Sequence, residues 1–248
     1  CVWTDSDDTK DYVVMKLQER YVLKVAPTMN MYVGICSKEE TDPVTNNRVI
    51  CLTAPQYLEK AASILNVTLP KVPPRFPDLI STHGKFVEQD CVEPGDPRRV
   101  ELDKLPYREA LAVIAYSTRA CCIHLAHTVA KLQRHCCNFG KRHYKRLQRL
   151  AQYAVHTKSK PLRLGVFNNV PLLAYADADQ SGCPRTFRSH LGYIIKVFGS
   201  AIEWQSRKIS GITLSSTQAE VEAAVEADKA VEYYTDLLNE IADKLGKP

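Results

Sequence analysis

The chain has 248 residues, 45% hydrophobic and 25% charged, with a formal net charge of +5. That composition fits one large globular domain or two ordinary ones, and it excludes a low-complexity or disordered chain. No apolar run approaches the ~20 residues a membrane helix needs, and no secretory signal pattern is present.

Residues 7–25 read as an amphipathic helix, with Tyr12, Leu17 and Tyr21 among its apolar positions and Asp7 or Asp8 as its cap. Two runs rich in Val, Ile and Tyr follow, Met29 to Ile35 and Arg48 to Thr53. Thr41-Asp42-Pro43 and Asn46-Asn47 between them predict a hairpin with a long turn. Pro55, a good first-turn residue, opens a helix to about Leu65. Seven of the 14 prolines then fall between Pro70 and Pro106, which marks a linker or extended crossing segment. Helical patterns occupy Tyr107 to Thr118, Ile123 to His135 and Lys141 to His156, with Gly140 dividing the last two. Beyond Pro161 the period changes to that of strands: Leu162 to Phe167, Pro171 to Asp177, His190 to Phe198 and Ala201 to Arg207, with a hairpin turn at Gly199-Ser200. Ser215-x-x-Gln218 has the capping-box form and starts the last helix.

That helix carries the most telling residue. Ala224, Ala227, Val231, Tyr234, Leu238 and Ile241 recur at helical spacing, and Glu220 lies on the same line one turn ahead. A carboxylate held against a core without a partner costs several kcal/mol. Either Glu220 reaches water at the helix start, or a positive group, a metal ion being the sharper option, meets it there.

Lys141, Arg142, Lys145, Arg146 and Arg149 crowd one helix, opposite an apolar side of Leu147, Leu150, Ala151 and Ala154. Such a face is either a solvated surface or a track for a phosphate backbone. The nine cysteines form no C-x-x-C pattern, and two pairs are adjacent, Cys121-Cys122 and Cys136-Cys137. They are expected as reduced thiols serving as small apolar residues, which implies an intracellular compartment without naming it. Cys121, His124 and His127 share a helix face suited to zinc, though their spacing matches no metal motif. The first residue is Cys1 rather than Met, so the expectation is a processed product or a fragment.

Leu105-Pro-Tyr-Arg-Glu-Ala110 and Ala174-Tyr-Ala-Asp-Ala-Asp179 resemble segments of copia-type (Ty1/copia) retrotransposon polymerases. Gly192-Tyr193, Ala201-Ile-Glu-Trp-Gln-Ser206 and Leu214-Ser-Ser-Thr-Gln-Ala-Glu220 extend the resemblance in order. Upstream, Met31-Tyr-Val-Gly-Ile35 and Leu52-Thr-Ala-Pro-Gln-Tyr57 are similar to the hairpin and helix after the polymerase active site. The resemblance covers nearly the whole chain. It implies an end of the polymerase palm and thumb at 1–69, a Pro-rich linker at 70–105, a helical connection module at 106–160 and an incomplete ribonuclease H-like domain at 161–248.

The implied fold class is α+β: a truncated ribonuclease H-like mixed sheet with a long C-terminal helix, and one sheet edge left open. In that family carboxylates hold two Mg²⁺ ions that activate water and steady the leaving oxygen. The match assigns Asp177, in preference to Asp179, and Glu220 to that set as catalytic and metal ligands. The family's two further aspartates and its Tyr-x-Asp-Asp polymerase motif have no counterpart in this sequence. Ala120-Cys121 stands where the family commonly has Pro-Asp, and Gln180 where it commonly has Trp. The implied partner is an RNA–DNA hybrid or other nucleic acid, touched by Lys141, Arg142, Lys145, Arg146 and Arg149. The remainder of a Pol protein is a further expected partner, and no membrane is. The alternative is a non-catalytic structural subunit retained by a host within a larger assembly. On the carboxylate count the chain alone is expected to be inactive.

Overall fold

The computed structural model describes residues 7–22, 30–78, 90–165, 168–183 and 186–244. Two compact units divide at Asn30. In the first, Asp7–Gln18 form helix α1, shorter than the expected 7–25, with Tyr12, Leu17 and Tyr21 exposed. The strand expected from Met29 begins beside residue 29, which lies outside the described residues.

The second unit opens with β1 (Met31–Tyr32), β2 (Ile35–Thr41) and β3 (Arg48–Thr53). With β4 (Leu162–Leu164) they make an antiparallel sheet in the order β1-β2-β3-β4. The tight turn between β1 and β2 needs Gly34, which has φ +76°, and a Cβ there would collide with the Tyr57 ring. Tyr57 and Tyr116 both donate their hydroxyls to the Val33 carbonyl, at 3.0 and 3.2 Å. The long turn between β2 and β3 is organised by Asp42. Its Oδ1 accepts the Val44 and Thr45 N–H groups at 2.8 and 3.0 Å, and Oδ2 takes Arg163 of β4 at 3.0 Å. The backbone N–H bonds from Thr45 and Val44, with Arg163 behind them, hold the Asp42 carboxyl below the ordinary carboxylate range.

The helices are α2 (Pro55–Ile64), α3 (Arg99–Leu102), α4 (Tyr107–Ala120), α5 (Ala126–Gln133) and α6 (Lys141–His156), with a 3₁₀ turn at Ile123–Leu125. Their apolar stripes meet in one core: Leu58 and Ala61 of α2, Leu111 and Ile114 of α4, Leu132 of α5, and Leu147, Leu150 and Ala154 of α6. Tyr107, fully buried, stacks on Phe139 at 4.2 Å between ring centres and donates its hydroxyl to the Leu132 carbonyl at 2.9 Å. Contacts run across two of the expected segment boundaries. Helix α2 shares its core with α4 to α6, across the Pro-rich stretch, and β4 pairs with β3 from far upstream. Apolar faces this complementary bury each other whatever the composition of the segment between them.

The second sheet contains β5 (Leu172–Asp179), β6 (His190–Val197) and β7 (Ser200–Lys208), in that order and antiparallel throughout. Both described sheets are therefore antiparallel, not mixed. β5, β6 and β7 run one after another through short connections, whereas a parallel pair requires a crossover of roughly a dozen residues or more. Between β6 and β7 the turn residues are Phe198 and Gly199, both with positive φ, one position earlier than expected. Helix α7 (Ser216–Lys244) crosses one face of this sheet. Its start is capped as the sequence implies: Ser215 Oγ accepts the Gln218 N–H at 3.1 Å, and Gln218 Oε1 accepts the Leu214 N–H at 2.9 Å.

The buried stripe of α7 is Ala219, Ala223, Ala227 and Ala230. Ala224 and Ile241, expected in it, are exposed, while Val231 and Tyr234 lie partly buried against the second core. Small residues win the contact because they let the helix approach Leu191, Tyr193 and Ile195 closely.

Candidate functional site

Glu220 lies in the second turn of α7 and is exposed. Of the two alternatives for this carboxylate, its exposure matches the first: water reaches it at the start of the helix, so no desolvation cost arises. Asp177, on β5, is exposed as well. In β5, Leu172, Ala174 and Ala178 pack against the α7 side. Strand alternation sends Asp177 and Asp179 to the opposite face. Asp177 lies two residues from the end of β5. Asp179 pairs with His190 and His190 with Lys208, the last residue of β7, from which the chain runs on into α7. Asp177 thus lies near the end of the sheet from which the chain runs on to α7, the helix that carries Glu220. Among the described residues, no group of three or more potential metal ligands includes either. As carboxylates they are the oxygen donors that Mg²⁺ accepts.

The face bearing Asp177 is lined with side chains that the sequence reading missed. Asp177 pairs with Gly192, and Gly192 with Ser206, so the three form one row across the sheet. Ser206 Oγ lies 2.7 Å from His190 Nε2 and 3.4 Å from His127 Nδ1 of α5. His190 Nδ1 meets the Arg134 guanidinium, and the His127 and His190 rings stand edge to face at 4.9 Å. Burial, then Arg134 and His127, push the His190 imidazole down to about 3, so it is neutral at ordinary pH. Asp179 acts in the other direction, raising the His127 and Arg134 values against their burial. One row further along, Trp204 Nε1 donates to the Thr118 carbonyl at 2.8 Å, in the last turn of α4. The signal for this cluster is distributed over α5, β6 and β7, and no local spacing reveals it.

Helix α6 spans the expected Lys141 to His156. Lys141, Arg142 and Lys145 are exposed. Arg142 pairs with Asp90 at 3.2 Å, its own side chain still 70% exposed. Arg146 is different: its side chain is only 12% exposed and faces Asp78 at 3.7 Å. Arg149 is half-buried, and its Nε has no hydrogen-bond partner among the described residues. The five cations therefore divide into three outward and two withdrawn.

The zinc grouping of Cys121, His124 and His127 does not assemble. Cys121 is buried beside Cys122, His124 Nε2 bonds Thr157 Oγ1 at 3.0 Å, and His127 turns to Ser206 and His190. The eight described cysteines are free thiols, four of them buried, as small apolar residues would be.

Comparison with known proteins gives the chain its kin. It is 29% identical over 199 residues to the retrovirus-related Pol polyprotein from transposon TNT 1-94 of Nicotiana tabacum, covering 79% of this chain and 14% of that protein. It is 31% identical over 106 residues to the corresponding polyprotein from transposon RE1 of Arabidopsis thaliana, 43% of this chain and 7% of that protein. It is also 29% identical over 134 residues to the secreted RxLR effector protein 161 of Plasmopara viticola, 54% of this chain and 94% of that protein. Curated homologues are thus retrovirus-related Pol polyproteins of Ty1/copia-type transposons, and the chain spans only a small part of their length. No family model matches the chain, and no solved structure does.

Proposed function

We propose that this chain is the portion of a retroelement Pol protein that links reverse transcriptase to ribonuclease H, and that it holds an RNA–DNA hybrid by its phosphates. The observation that carries this is the outward side of α6. Lys141, Arg142 and Lys145 project from a helix whose opposite side, Leu147, Leu150 and Ala154, is locked into the core. A rigid cationic row of this kind positions a duplex without reading its sequence. Asp177 and Glu220 offer oxygen ligands on this reading. A Mg²⁺ ion there would supply water activation, but on two carboxylates it keeps most of its own waters. Binding without cleavage is the expected behaviour of the chain alone.

The test is fluorescence anisotropy with a labelled hybrid, together with a gel assay for cleavage. Affinity is expected on the order of 10⁻⁴–10⁻⁶ M, as for non-specific phosphate contacts. Joint replacement of Lys141, Arg142 and Lys145 by Glu should abolish it. Unchanged affinity in that variant overturns the binding role, and Mg²⁺-dependent cleavage lost in Asp177→Asn overturns the non-cleaving one.

A second reading has one observation in its favour. The Plasmopara viticola relative is matched over 94% of its length, so a separate protein exists built almost wholly of this kind of sequence. A retained, non-catalytic protein subunit accounts for that, and its mark would be stoichiometric co-purification with other proteins rather than with nucleic acid.

A further inference from the structure

The helical core carries a second constellation, whose members come from the segment before α3, the turn after α5 and the first turn of α6. Cys91, His135 and His143 place one ligand atom each within 4.8 Å of the others. Cys91 Sγ lies 3.6 Å from His135 Nδ1, and the His135 and His143 rings face each other at 4.1 Å between centres, tilted by 38°. We propose that these three residues form a binding site for a thiophilic divalent cation, Zn²⁺ by preference, with the fourth position left to solvent.

The distances suit the ion. Zn–N bonds of about 2.0–2.1 Å and Zn–S bonds of about 2.3 Å separate tetrahedral ligands by about 3.3–3.8 Å. The Cys91–His135 pair already meets that spacing, and closing the rest from 4.8 Å needs rotamer adjustments of about 1 Å. One thiol and two imidazoles are the donors that Zn²⁺ takes and that Mg²⁺ and Ca²⁺ refuse.

The surroundings hold the donors in place. The segment with Cys91 is tied to the turn after α5: the Val92 N–H donates to the Asn138 carbonyl at 2.9 Å, and Asn138 Nδ2 to Glu93 Oε1 at 3.0 Å. Gly140 lets the Asp90 carbonyl approach closely, since a Cβ there would collide with it. A hydrogen bond to the Asp90 backbone orients the His143 ring, the kind of outer contact that metal-bound histidines make. His143 is fully buried, whereas Cys91 and His135 are half-buried, which gives an ion a way in.

The competing account is a thiol hydrogen-bonded to an imidazole, with the Gly140 N–H donating to His143 Nδ1 at 3.0 Å as part of the helix start. The experiment separates the two. The full chain is stripped with chelator under reducing conditions and titrated with Co²⁺, then with Zn²⁺ in competition. The site predicts one equivalent of Co²⁺ with tetrahedral visible bands and a thiolate-to-metal charge-transfer band, displaced by Zn²⁺. Cys91→Ser should remove the charge-transfer band. It should also weaken Zn²⁺ by more than the roughly 10–100-fold that loss of an outer-shell partner costs. His135→Gln should weaken it likewise, and Cys121→Ser should change nothing. Both ligand variants replace half-buried side chains, so circular dichroism will verify that they fold. Absence of stoichiometric Co²⁺ binding, or a charge-transfer band that survives Cys91→Ser, overturns the site.

Discussion

The division of the basic helix into three outward and two withdrawn cations makes a quantitative prediction. Each phosphate neutralised contributes about −0.9 to the slope of log K against log salt on a duplex. Lys141, Arg142 and Lys145 together give a slope near −2.7, so raising salt from 50 to 200 mM should weaken hybrid binding about 40-fold. Had all five cations reached phosphate, the slope would be near −4.5 and the loss about 500-fold. Arg142 counts among the three despite its contact with Asp90. The Arg142 side chain is 70% exposed and its guanidinium carries five N–H donors, so some remain turned to solvent for a phosphate while the Asp90 contact persists. Arg146 does not count, because its side chain is tucked against Asp78. The assay is anisotropy across a salt series, for the parent chain, for Lys141→Gln/Arg142→Gln/Lys145→Gln, and for Arg146→Gln/Arg149→Gln. The triple variant should lose nearly all the salt dependence, and the double variant should keep it. If the double variant loses as much slope as the triple, the division read from the structure is wrong.

Other expected outcomes follow from the packing. Tyr107→Phe removes one of two donors to the buried Leu132 carbonyl, the His135 N–H remaining, and should cost ~0.5–1.5 kcal/mol in urea denaturation; an unchanged midpoint would show that the hydroxyl bond adds nothing. Ala223→Leu, at a fully buried contact with the second sheet, should cost ~1–3 kcal/mol, whereas Ala224→Leu on the exposed side should stay within ~0.5 kcal/mol; the reverse order would restore the stripe expected from sequence. Acid should destabilise the chain below about pH 6.5, the unfolded histidine value. His190, facing Arg134, His127 and Lys131, is lowered to about 3 by burial and those charges, and His124, beside Lys160, to about 4. The unfolded chain therefore binds more protons across that window, so stability is fully present above it and is lost as pH falls. Thermal midpoints equal at pH 7 and pH 5 would contradict this.

Where the sequence pattern was long and one-sided, it predicted the elements well. The ranges of α6 and β3 coincide with the expected ones, because Leu147, Leu150 and Ala154 recur at helical spacing and Arg48–Thr53 is dense in β-formers. Helix α7 was legible in its start, through Ser215 and Gln218, and in part of its stripe, Ala227, Val231 and Tyr234, but not in the phase of its first turns. Alanines are too weakly apolar for spacing to say which of Ala223 and Ala224 turns inward. The site was legible only in parts. The sequence named Asp177 and Glu220, but which faces they occupy depends on the pairing of β5 with β6 and on α7 lying over the even-numbered side. Nothing local reports that Asp78 withdraws Arg146, or that Cys91 reaches His135 and His143, since both follow from how the Pro-rich stretch returns to the helices. Expected strand residues Val166 and Phe167 lie outside the described residues.

The face of the second sheet bearing Asp177 is also the one turned toward the helices. Trp204 donates to the C-terminal end of α4, where helix carbonyls lack partners of their own, and His190 and Ser206 meet α5 through Arg134 and His127. Helices α4 and α5 in turn share a core with α6. On the proposed reading, a duplex resting on Lys141, Arg142 and Lys145 is referenced to Asp177 through packed side chains rather than through a tether. Close-packed interiors transmit position over such a path with little give, whereas a flexible linker would let the strand wander by ångströms. That difference bears directly on chemistry at a carboxylate, because misplacement of about 1 Å is enough to cost a reaction roughly 100-fold. The sharpest probe of the coupling is Trp204→Phe, which deletes the bond to Thr118 while leaving an aromatic ring. If the frame sets the geometry, hybrid affinity should hold, since α6 is untouched. Cross-linking from a cysteine introduced at Asp177 to a thiol-modified duplex should at the same time become less selective in position. Identical cross-linking patterns with and without the Trp204 bond would mean that the helices and the sheet are placed by other contacts.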